Sequence, residues 1–206
     1  MSSFLSPVAL RWAIPYGLIL DGDSIENGYD VDGSITAWTA SLPVGSQRLK
    51  VAVTGQTIAE MTGRLATYVK PWAKDAIIIA GGGFNDLLRG DATGSYYDNA
   101  RGADAAGTYA RLLAYVAQLR TYSPRAIVVS TCVRVAPATT YYTANLDTQT
   151  LAYNALVLGT VAGTFDGVVD RTSAVVERSS DGLHPDQLGQ STLATLYQPA
   201  LASALP

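Results

Sequence analysis

The sequence predicts a single α/β domain in which helices cover both faces of a five-stranded parallel sheet. Short apolar runs rich in β-branched residues recur along the chain, and segments of helical periodicity separate them. Continuous apolar runs of this length suit strands that are buried on both faces. Strands that alternate with helices imply right-handed crossovers and a three-layer α/β/α arrangement. Because 206 residues suffice for one substantial core, we expect residues 1–206 to form one domain.

Five apolar runs are predicted to be the strands. In chain order they cover residues 17–20, 49–53, 76–80, 126–133 and 167–169. The fourth run contains Cys132, the only cysteine of the chain, so no internal disulfide can form. We expect Cys132 to be a small buried hydrophobic residue rather than a reactive thiol.

The predicted helices lie between these runs. The clearest one places five apolar residues on one face, and the next strand begins after the break at Ser123-Pro124. These five residues are Tyr109, Leu112, Leu113, Val116 and Leu119. Further helices are predicted over residues 35–42, 57–69 and 151–161, and from Pro185 through Tyr197.

Composition and charge exclude several classes of protein. Apolar residues make up 48% of the chain and charged residues 15%, which is typical of an ordinary globular protein. The net charge of -3 is not gathered into blocks, so we expect no nucleic-acid partner. The apolar stretch 12–20 is interrupted by Pro15 and Gly17, so neither a membrane span nor a signal peptide is predicted. The compartment stays open between the cytoplasm and secretion after removal of a leader.

Four of the five predicted strands are followed by residues that can carry chemistry. The first runs into Asp21-Gly-Asp-Ser24, the second into Thr54-Gly55 and the third into Gly81-Gly-Gly-Phe-Asn85-Asp86. Beyond the fifth comes Asp181-Gly-Leu-His184-Pro185. Because open α/β sheets carry their sites at the carboxyl ends of the strands, we expect these residues to meet at one edge.

These residue types are the ones that acyl transfer requires. A serine hydroxyl becomes a nucleophile when a neighbouring base takes its proton, and Ser24 and His184 can fill those two roles. Asp181 lies close enough in sequence to orient the imidazole of His184. The backbone N–H groups of Ser24 and Gly55, with the side-chain amide of Asn85, can bind the oxyanion of the tetrahedral intermediate.

The same residues resemble the four conserved blocks of the SGNH, or GDSL-type, hydrolases. The blocks are Gly22-Asp-Ser24, Gly55, Gly83-Phe-Asn85-Asp86 and Asp181-Gly-Leu-His184-Pro185, in the family's order and spacing. The resemblance implies a flavodoxin-like α/β/α fold, a catalytic triad of Ser24, His184 and Asp181, and an oxyanion hole made by Ser24, Gly55 and Asn85. The chain departs from the family at Asp21, where an apolar residue is usual, and this alters the surroundings of the nucleophile.

Two other carboxylates in these blocks are predicted to be structural. We expect Asp86 to hold the loop that presents Asn85, and Asp23 to fix the loop of the nucleophile. No metal is predicted, because Asp181 and His184 are two ligands without a third. No cofactor is predicted either, since the Gly81-Gly-Gly run lacks the lysine of a phosphate-binding loop.

The substrate is predicted to be a small-molecule or carbohydrate ester. The pairs Tyr96-Tyr97 and Tyr141-Tyr142 follow the third and fourth strands and offer flat amphipathic surfaces for a sugar ring or an aromatic ester, although packing over helix ends explains them equally well. Because no long apolar lid is evident, we favour short acyl groups, especially acetyl esters of carbohydrates. Lysophospholipid, thioester and aryl ester substrates remain alternatives, as do acyl transfer to an alcohol, a non-catalytic carbohydrate-binding module of the same fold, and a flavodoxin-like cofactor protein.

Overall fold

One parallel sheet forms the centre of the protein. The computed structural model describes residues 17–28, 48–174 and 178–204, and within them five strands pair in the order β2-β1-β3-β4-β5. The strands are β1 (Leu18–Asp21), β2 (Arg48–Lys50), β3 (Ile77–Ala80), β4 (Ala126–Ser130) and β5 (Gly167–Val169). All four pairings are parallel, which confirms the predicted sheet.

The described helices fill the connections between the strands. They are α1 (Ser24–Asn27), α2 (Ile58–Tyr68), α3 (Lys70–Ala73), α4 (Phe84–Gly90), α5 (Ala105–Arg120), α6 (Ala144–Leu158) and α7 (Gln187–Ala204). The predicted helix 35–42 lies outside the described residues. None of the helices in the described ranges is long and apolar enough to cross a membrane.

Side chains that alternate along the strands build an apolar core on each face of the sheet. On one face Ile19 and Ile78 pack with residues of α2, α4, α5 and α6. On the other face Leu20 and Ile79 pack with Leu193 and other residues of α7. Burial on both faces explains why the strands read as continuous apolar runs, and it confirms the α/β fold with helices on both sides.

Two strands end earlier than predicted, because the regular hydrogen bonding between strands stops before the apolar runs do. After β2 the N–H groups of Val51 and Ala52 both donate to one carbonyl, that of Leu20 in β1. Beyond β4 the N–H of Cys132 donates to the side chain of Asn154 on α6, at 2.8 Å. Cys132 is buried, as predicted, and burial raises the pKa of its thiol well above the usual range.

Helix α6 begins well before the predicted start at Leu151. Its first turns carry mostly polar residues, so the apolar period becomes visible only late in the helix. The start is set instead by Thr143, whose side chain accepts the N–H of Leu146. Helices α1 and α4 were not predicted, because each is short and begins directly at a strand end among glycine and polar residues.

The register of the strands determines where the functional residues meet. Asp21, the last residue of β1, pairs with Ala80, the last residue of β3. The chain segments that leave these strands therefore emerge side by side, at the carboxyl edge of the sheet. Strand β2 flanks β1 on its other side, so the segments with Ser24, Gly55 and Asn85 leave three neighbouring strands.

Candidate active site

Ser24 is the first residue of helix α1, directly beyond the end of β1. The helix is capped by Asp23, whose Oδ1 accepts the N–H of Ile25 at 3.0 Å. It ends after one turn at Gly28, which has the left-handed backbone conformation that favours glycine. This tight turn from strand to helix fixes the Ser24 side chain at the carboxyl edge of the sheet.

His184 lies in a short closed turn before α7, which we call the histidine arm (residues 178–185). The N–H of Ser179 donates to the carbonyl of His184 at 2.9 Å, and the N–H of Gly182 donates to the carbonyl of Ser179 at 2.9 Å. Gly182 has a φ of 68°, a conformation strained for residues with a Cβ. Arg178 closes the arm by donating to the carbonyl of Leu183.

The structure brings the three predicted triad residues into one chain of hydrogen bonds. His184 Nε2 lies 2.9 Å from Ser24 Oγ, and His184 Nδ1 lies 2.5 Å from Asp181 Oδ2. Ser24 and His184 are each only 6% exposed, so this contact is largely shielded from water. A hydroxyl, an imidazole and a carboxylate in this order form the arrangement that activates a serine for attack.

Asp181 is held by more donors than the imidazole alone. Its Oδ1 accepts the Ser179 hydroxyl at 2.8 Å and the N–H groups of Leu183 and His184 at 2.9 and 3.0 Å. Burial alone would raise the pKa of Asp181, but the hydrogen bond from His184 and these other donors hold it well below the usual range. The carboxylate is therefore ionised at neutral pH and can orient the imidazole.

The two further residues predicted for the oxyanion hole lie near each other. Gly55 has a φ of 78°, and nothing lies within 4 Å of where a Cβ would stand. Asn85 is not in a loop, as the sequence had suggested, but in the first turn of α4. Its Nδ2 lies 3.2 Å from the carbonyl of Gln56 and 3.3 Å from Asp23 Oδ2, so its amide bridges the Gly55 segment and the nucleophile turn.

Asp23 and Asp86 both accept hydrogen bonds that hold neighbouring elements together, although Asp86 does so from a helix and not from the predicted loop. Asp86 accepts the N–H of Ile58 and the guanidinium of Arg111, each at 2.8 Å, and so ties α4 to α2 and α5. Asp23 caps α1 and accepts from Asn85. Burial, and then the nearby Glu26 carboxylate, raise the pKa of Asp23 to about 7.

A buried ion pair beneath the nucleophile was not predicted. Glu26 Oε1 lies 2.6 Å from Arg171 Nη1, although 145 residues separate them in sequence. A Cβ at Gly22 would lie 2.6 Å from Glu26 Cγ, and one at Gly81 would overlap the Glu26 carboxylate. Glycine directly after these two strands therefore leaves room for the Glu26 side chain.

Of the four predicted tyrosines, one from each loop forms a stacked pair. Tyr96 and Tyr141 stack with ring centroids 5.2 Å apart and an angle of 23° between the rings. Tyr97 is half exposed, and Tyr142 packs against the core. The loop before α6 that carries Tyr141 touches the histidine arm, since a Cβ at Gly182 would collide with Thr139. The loop that carries Tyr141 therefore lies beside the histidine arm.

Among the described residues, no three histidine, cysteine or carboxylate side chains are grouped so that they could hold a metal ion. Ser24 can attack, His184 can accept and return a proton, and nearby N–H and amide groups can bind a developing negative charge.

Comparison with known proteins identifies the same family that the sequence motifs resemble. The model of the GDSL-like Lipase/Acylhydrolase family matches residues 22–191. A comparison with curated protein sequences found no match. Among solved structures, a member of the lipolytic protein G-D-S-L family from Veillonella parvula superposes with a TM-score of 0.70 at 18% identity, over 90% of this chain and 97% of that one.

Two further structures share the fold. TesA superposes with a TM-score of 0.68 at 18% identity, over 91% of this chain and 99% of TesA. A catalytic mutant of an acetylxylan esterase from Geobacillus stearothermophilus gives 0.69 at 15% identity, over 89% of this chain and 93% of that esterase. At these identities the likeness establishes the fold and leaves the substrate open.

Proposed function

Because the chain belongs to the GDSL-like lipase/acylhydrolase family, we propose that it is a serine ester hydrolase that acts through Ser24, His184 and Asp181. One observation carries the proposal. The hydroxyl of Ser24, the imidazole of His184 and the carboxylate of Asp181 form a continuous chain of hydrogen bonds of 2.9 and 2.5 Å. Such a chain is what a weak nucleophile needs to become reactive at neutral pH.

In the first step Ser24 Oγ attacks the carbonyl carbon of the ester. His184 Nε2 takes the hydroxyl proton as the new C–O bond forms, and the carbonyl oxygen becomes an oxyanion. Asp181 accepts the Nδ1–H of the imidazole and stabilises the imidazolium while it exists. The tetrahedral intermediate then collapses, the imidazolium protonates the leaving alcohol, and the acyl group stays on Ser24 as an ester.

In the second step water replaces the alcohol. His184 takes a proton from the water as its oxygen attacks the acyl-enzyme, and a second oxyanion forms. Collapse releases the carboxylic acid, and the imidazolium returns the proton to Ser24 Oγ. The enzyme thereby ends in its starting state.

The oxyanion is proposed to bind the N–H groups of Ser24 and Gly55 and the Nδ2 of Asn85. Open space in front of Gly55 supports this role, because a substrate oxygen can approach the backbone there. The two contacts of Asn85 Nδ2 are long, at 3.2 and 3.3 Å, so a stronger acceptor can share one of the amide hydrogens while the amide keeps its position. An oxyanion is such an acceptor.

For the substrate we propose short acyl esters, in particular acetyl esters of carbohydrates. The stacked Tyr96 and Tyr141 and the half-exposed Tyr97 offer flat surfaces on which a sugar ring can lie. The acetylxylan esterase that shares the fold is a second support, since its name concerns an acetylated sugar polymer.

A graded panel of esters tests both the activity and the acyl group. We expect p-nitrophenyl acetate to give the highest kcat/KM, with a decline toward the palmitate ester, and an acetylated xylooligosaccharide to release acetate. A maximum at long chains, or at a thioester or lysophospholipid in the same panel, would contradict the short-acyl proposal while keeping the hydrolase. No hydrolysis of any ester would favour a non-catalytic module.

Asn85→Ala should lower kcat by about 10²- to 10³-fold with a much smaller change in KM, because an oxyanion donor acts chiefly in the transition state. Steady-state kinetics with the best ester of the panel measures both constants. The exposed Asn99→Ala serves as the matched control and should leave them unchanged. A raised KM at constant kcat would assign Asn85 to substrate binding instead.

The pH profile should report His184 directly, because it is the only histidine of the chain. Only the neutral imidazole can accept the Ser24 proton, so kcat/KM should rise as the imidazole loses its own proton. For a substrate that dissociates faster than it reacts, the midpoint of this limb should agree, within about one pH unit, with the imidazole titration followed by NMR. A larger disagreement would mean that His184 is not the base.

A second titratable group lies near the nucleophile, and its effect on kcat/KM must be distinguished from that of His184. The pKa of Asp23 is raised to about 7, so its carboxyl also loses a proton near neutral pH. Asp23→Asn retains the helix cap and removes this titration. The rising limb of kcat/KM should persist in Asp23→Asn, and its disappearance would assign the limb to the carboxyl.

A further inference from the structure

A single guanidinium joins the nucleophile strand to the segment that carries Gly55. Arg64, on α2, forms an ion pair with Asp21 at the end of β1 through Nη2. Its Nη1 donates to the carbonyl of Val51 at 2.6 Å, and its Nε donates to Gln56 Oε1 at 2.5 Å. The side chain of Arg64 is 10% exposed, so these three contacts are made away from bulk water.

The two ends of this segment, residues 51–56, are therefore held by Arg64. Between them lies Gly55, and the carbonyl of Gln56 accepts the amide of Asn85 at 3.2 Å. Backbone hydrogen bonds also hold the start of the segment, since the N–H groups of Val51 and Ala52 donate to the carbonyl of Leu20 and the N–H of Val53 donates to the carbonyl of Gly22. The contacts near Gly55 are weaker. Arg89 reaches the Gly55 carbonyl at 3.5 Å, and Asn27 donates to Thr54 at an exposed position. Arg64 thus adds a side-chain contact at each end of the segment, and at the Gln56 end its contact with Oε1 is shorter than those that Asn85 and Arg89 make around Gly55.

Asp21 is a fully buried carboxylate that is held by several donors. It accepts the hydroxyl of Tyr115 at 2.7 Å and the N–H of Gly22 at 2.9 Å, besides the Arg64 contact. Burial is the largest influence on Asp21 and raises the pKa of its carboxyl, while Arg64 opposes this. A buried ion pair is seldom more stabilising than apolar residues of the same size. A pair at this position is therefore better explained by the geometry it imposes.

We propose that Arg64, anchored by Asp21, is a positioning residue that holds Gly55 and Asn85 in the geometry needed to bind the oxyanion. Neither Arg64 nor Asp21 touches the substrate. Arg64 fixes the 51–56 segment on both sides of Gly55, and through Gln56 it fixes the amide of Asn85. This role rests on the ester hydrolase function proposed above.

The test separates oxyanion binding from general damage by comparing an ester with its thionoester. In a thionoester the developing charge resides on sulfur, a much weaker hydrogen-bond acceptor, so donors aimed at the oxyanion contribute little. The first variant is Arg64→Lys, which keeps the positive charge but loses the planar guanidinium that makes several hydrogen bonds at once. The second is Asp21→Asn, which keeps the shape of the side chain but loses its negative charge. Arg120→Met is the matched control, because it breaks the 2.6 Å ion pair with Asp166 at the opposite edge of the sheet.

Both site variants should lower kcat for the oxygen ester by about 10- to 100-fold with KM nearly constant, the loss expected for donors displaced by a fraction of an ångström to one ångström. Hydrolysis of the thionoester should change by less than about threefold, so the oxygen-to-sulfur rate ratio falls. Combining Arg64→Lys with Asn85→Ala should cost less than the product of the two single losses. Arg120→Met should leave kcat and the rate ratio unchanged.

Equal losses for the two esters, or full additivity with Asn85→Ala, would overturn the proposal and leave Arg64 with a purely structural role. Wild-type kcat in both site variants would overturn it as well. Thermal unfolding of each variant shows whether it folds, and if Asp21→Asn does not, Arg64→Lys alone decides. Failure of the hydrolase proposal itself is recognised separately, since wild-type protein would then cleave no ester and Ser24→Ala would change nothing.

Discussion

Ser24→Ala should lower kcat by at least about 10⁴-fold while leaving the fold intact, because the attacking atom itself is removed. The change should be tolerated structurally. Ser24 is the first residue of α1, and the helix cap is supplied by Asp23, so alanine at this position loses only the hydrogen bond to His184. Steady-state hydrolysis of p-nitrophenyl acetate measures the loss of kcat, and thermal unfolding of the same sample shows whether the fold is intact.

A fluorophosphonate probe tests the role of Ser24 without the need to know the substrate. The probe forms a covalent bond with an activated serine, and peptide mapping by mass spectrometry should locate it on Ser24. Labelling should be lost in Ser24→Ala and kept in Ser191→Ala, whose hydroxyl lies at the surface of α7. A label on a different serine would remove Ser24 from the mechanism.

The fold was predictable because the central strands have a simple signature. All five residues of β4 and all four of β3 are buried, so each strand appears as an unbroken apolar run. Strand ends were less predictable, since Val51 and Cys132 have the composition of strand residues but lie beyond the regular pairing of strands. The N–H of Val51 shares the Leu20 carbonyl with the N–H of Ala52, and the N–H of Cys132 donates to the Asn154 side chain. The pattern records burial and not the hydrogen-bond partner.

The candidate site was predictable where its residues directly follow strands. Ser24 and His184 are 160 residues apart, and parallel topology together with the family pattern was enough to expect them at one edge. The contacts around them were not predictable. Nothing in the sequence pairs Asp21 with Arg64, or Glu26 with Arg171, because such pairs depend on how α2 and the segment after β5 pack against β1. The prediction of one domain over residues 1–206 stays a prediction.

Asp181→Asn should lower kcat by about 10⁴-fold, although the side chain keeps its shape. The reason lies in the donors around Asp181. Its Oδ1 accepts the hydroxyl of Ser179 and the N–H groups of Leu183 and His184. An asparagine must place its oxygen where these donors converge, because its NH₂ group there would leave them without an acceptor.

In Asp181→Asn the amide NH₂ group then faces His184 Nδ1, where the carboxylate oxygen lies at 2.5 Å in the native protein. An NH₂ group donates, so Nδ1 becomes the acceptor and the neutral imidazole carries its hydrogen on Nε2. That hydrogen points at Ser24 Oγ, and Nε2 can no longer take the serine proton. Nitrogen NMR of the single histidine should reveal the exchanged tautomer, and Asp147→Asn at the surface ion pair with Arg134 should change neither tautomer nor rate. A rate within about tenfold of wild type in Asp181→Asn would mean that Asp181 does not set the tautomer of His184.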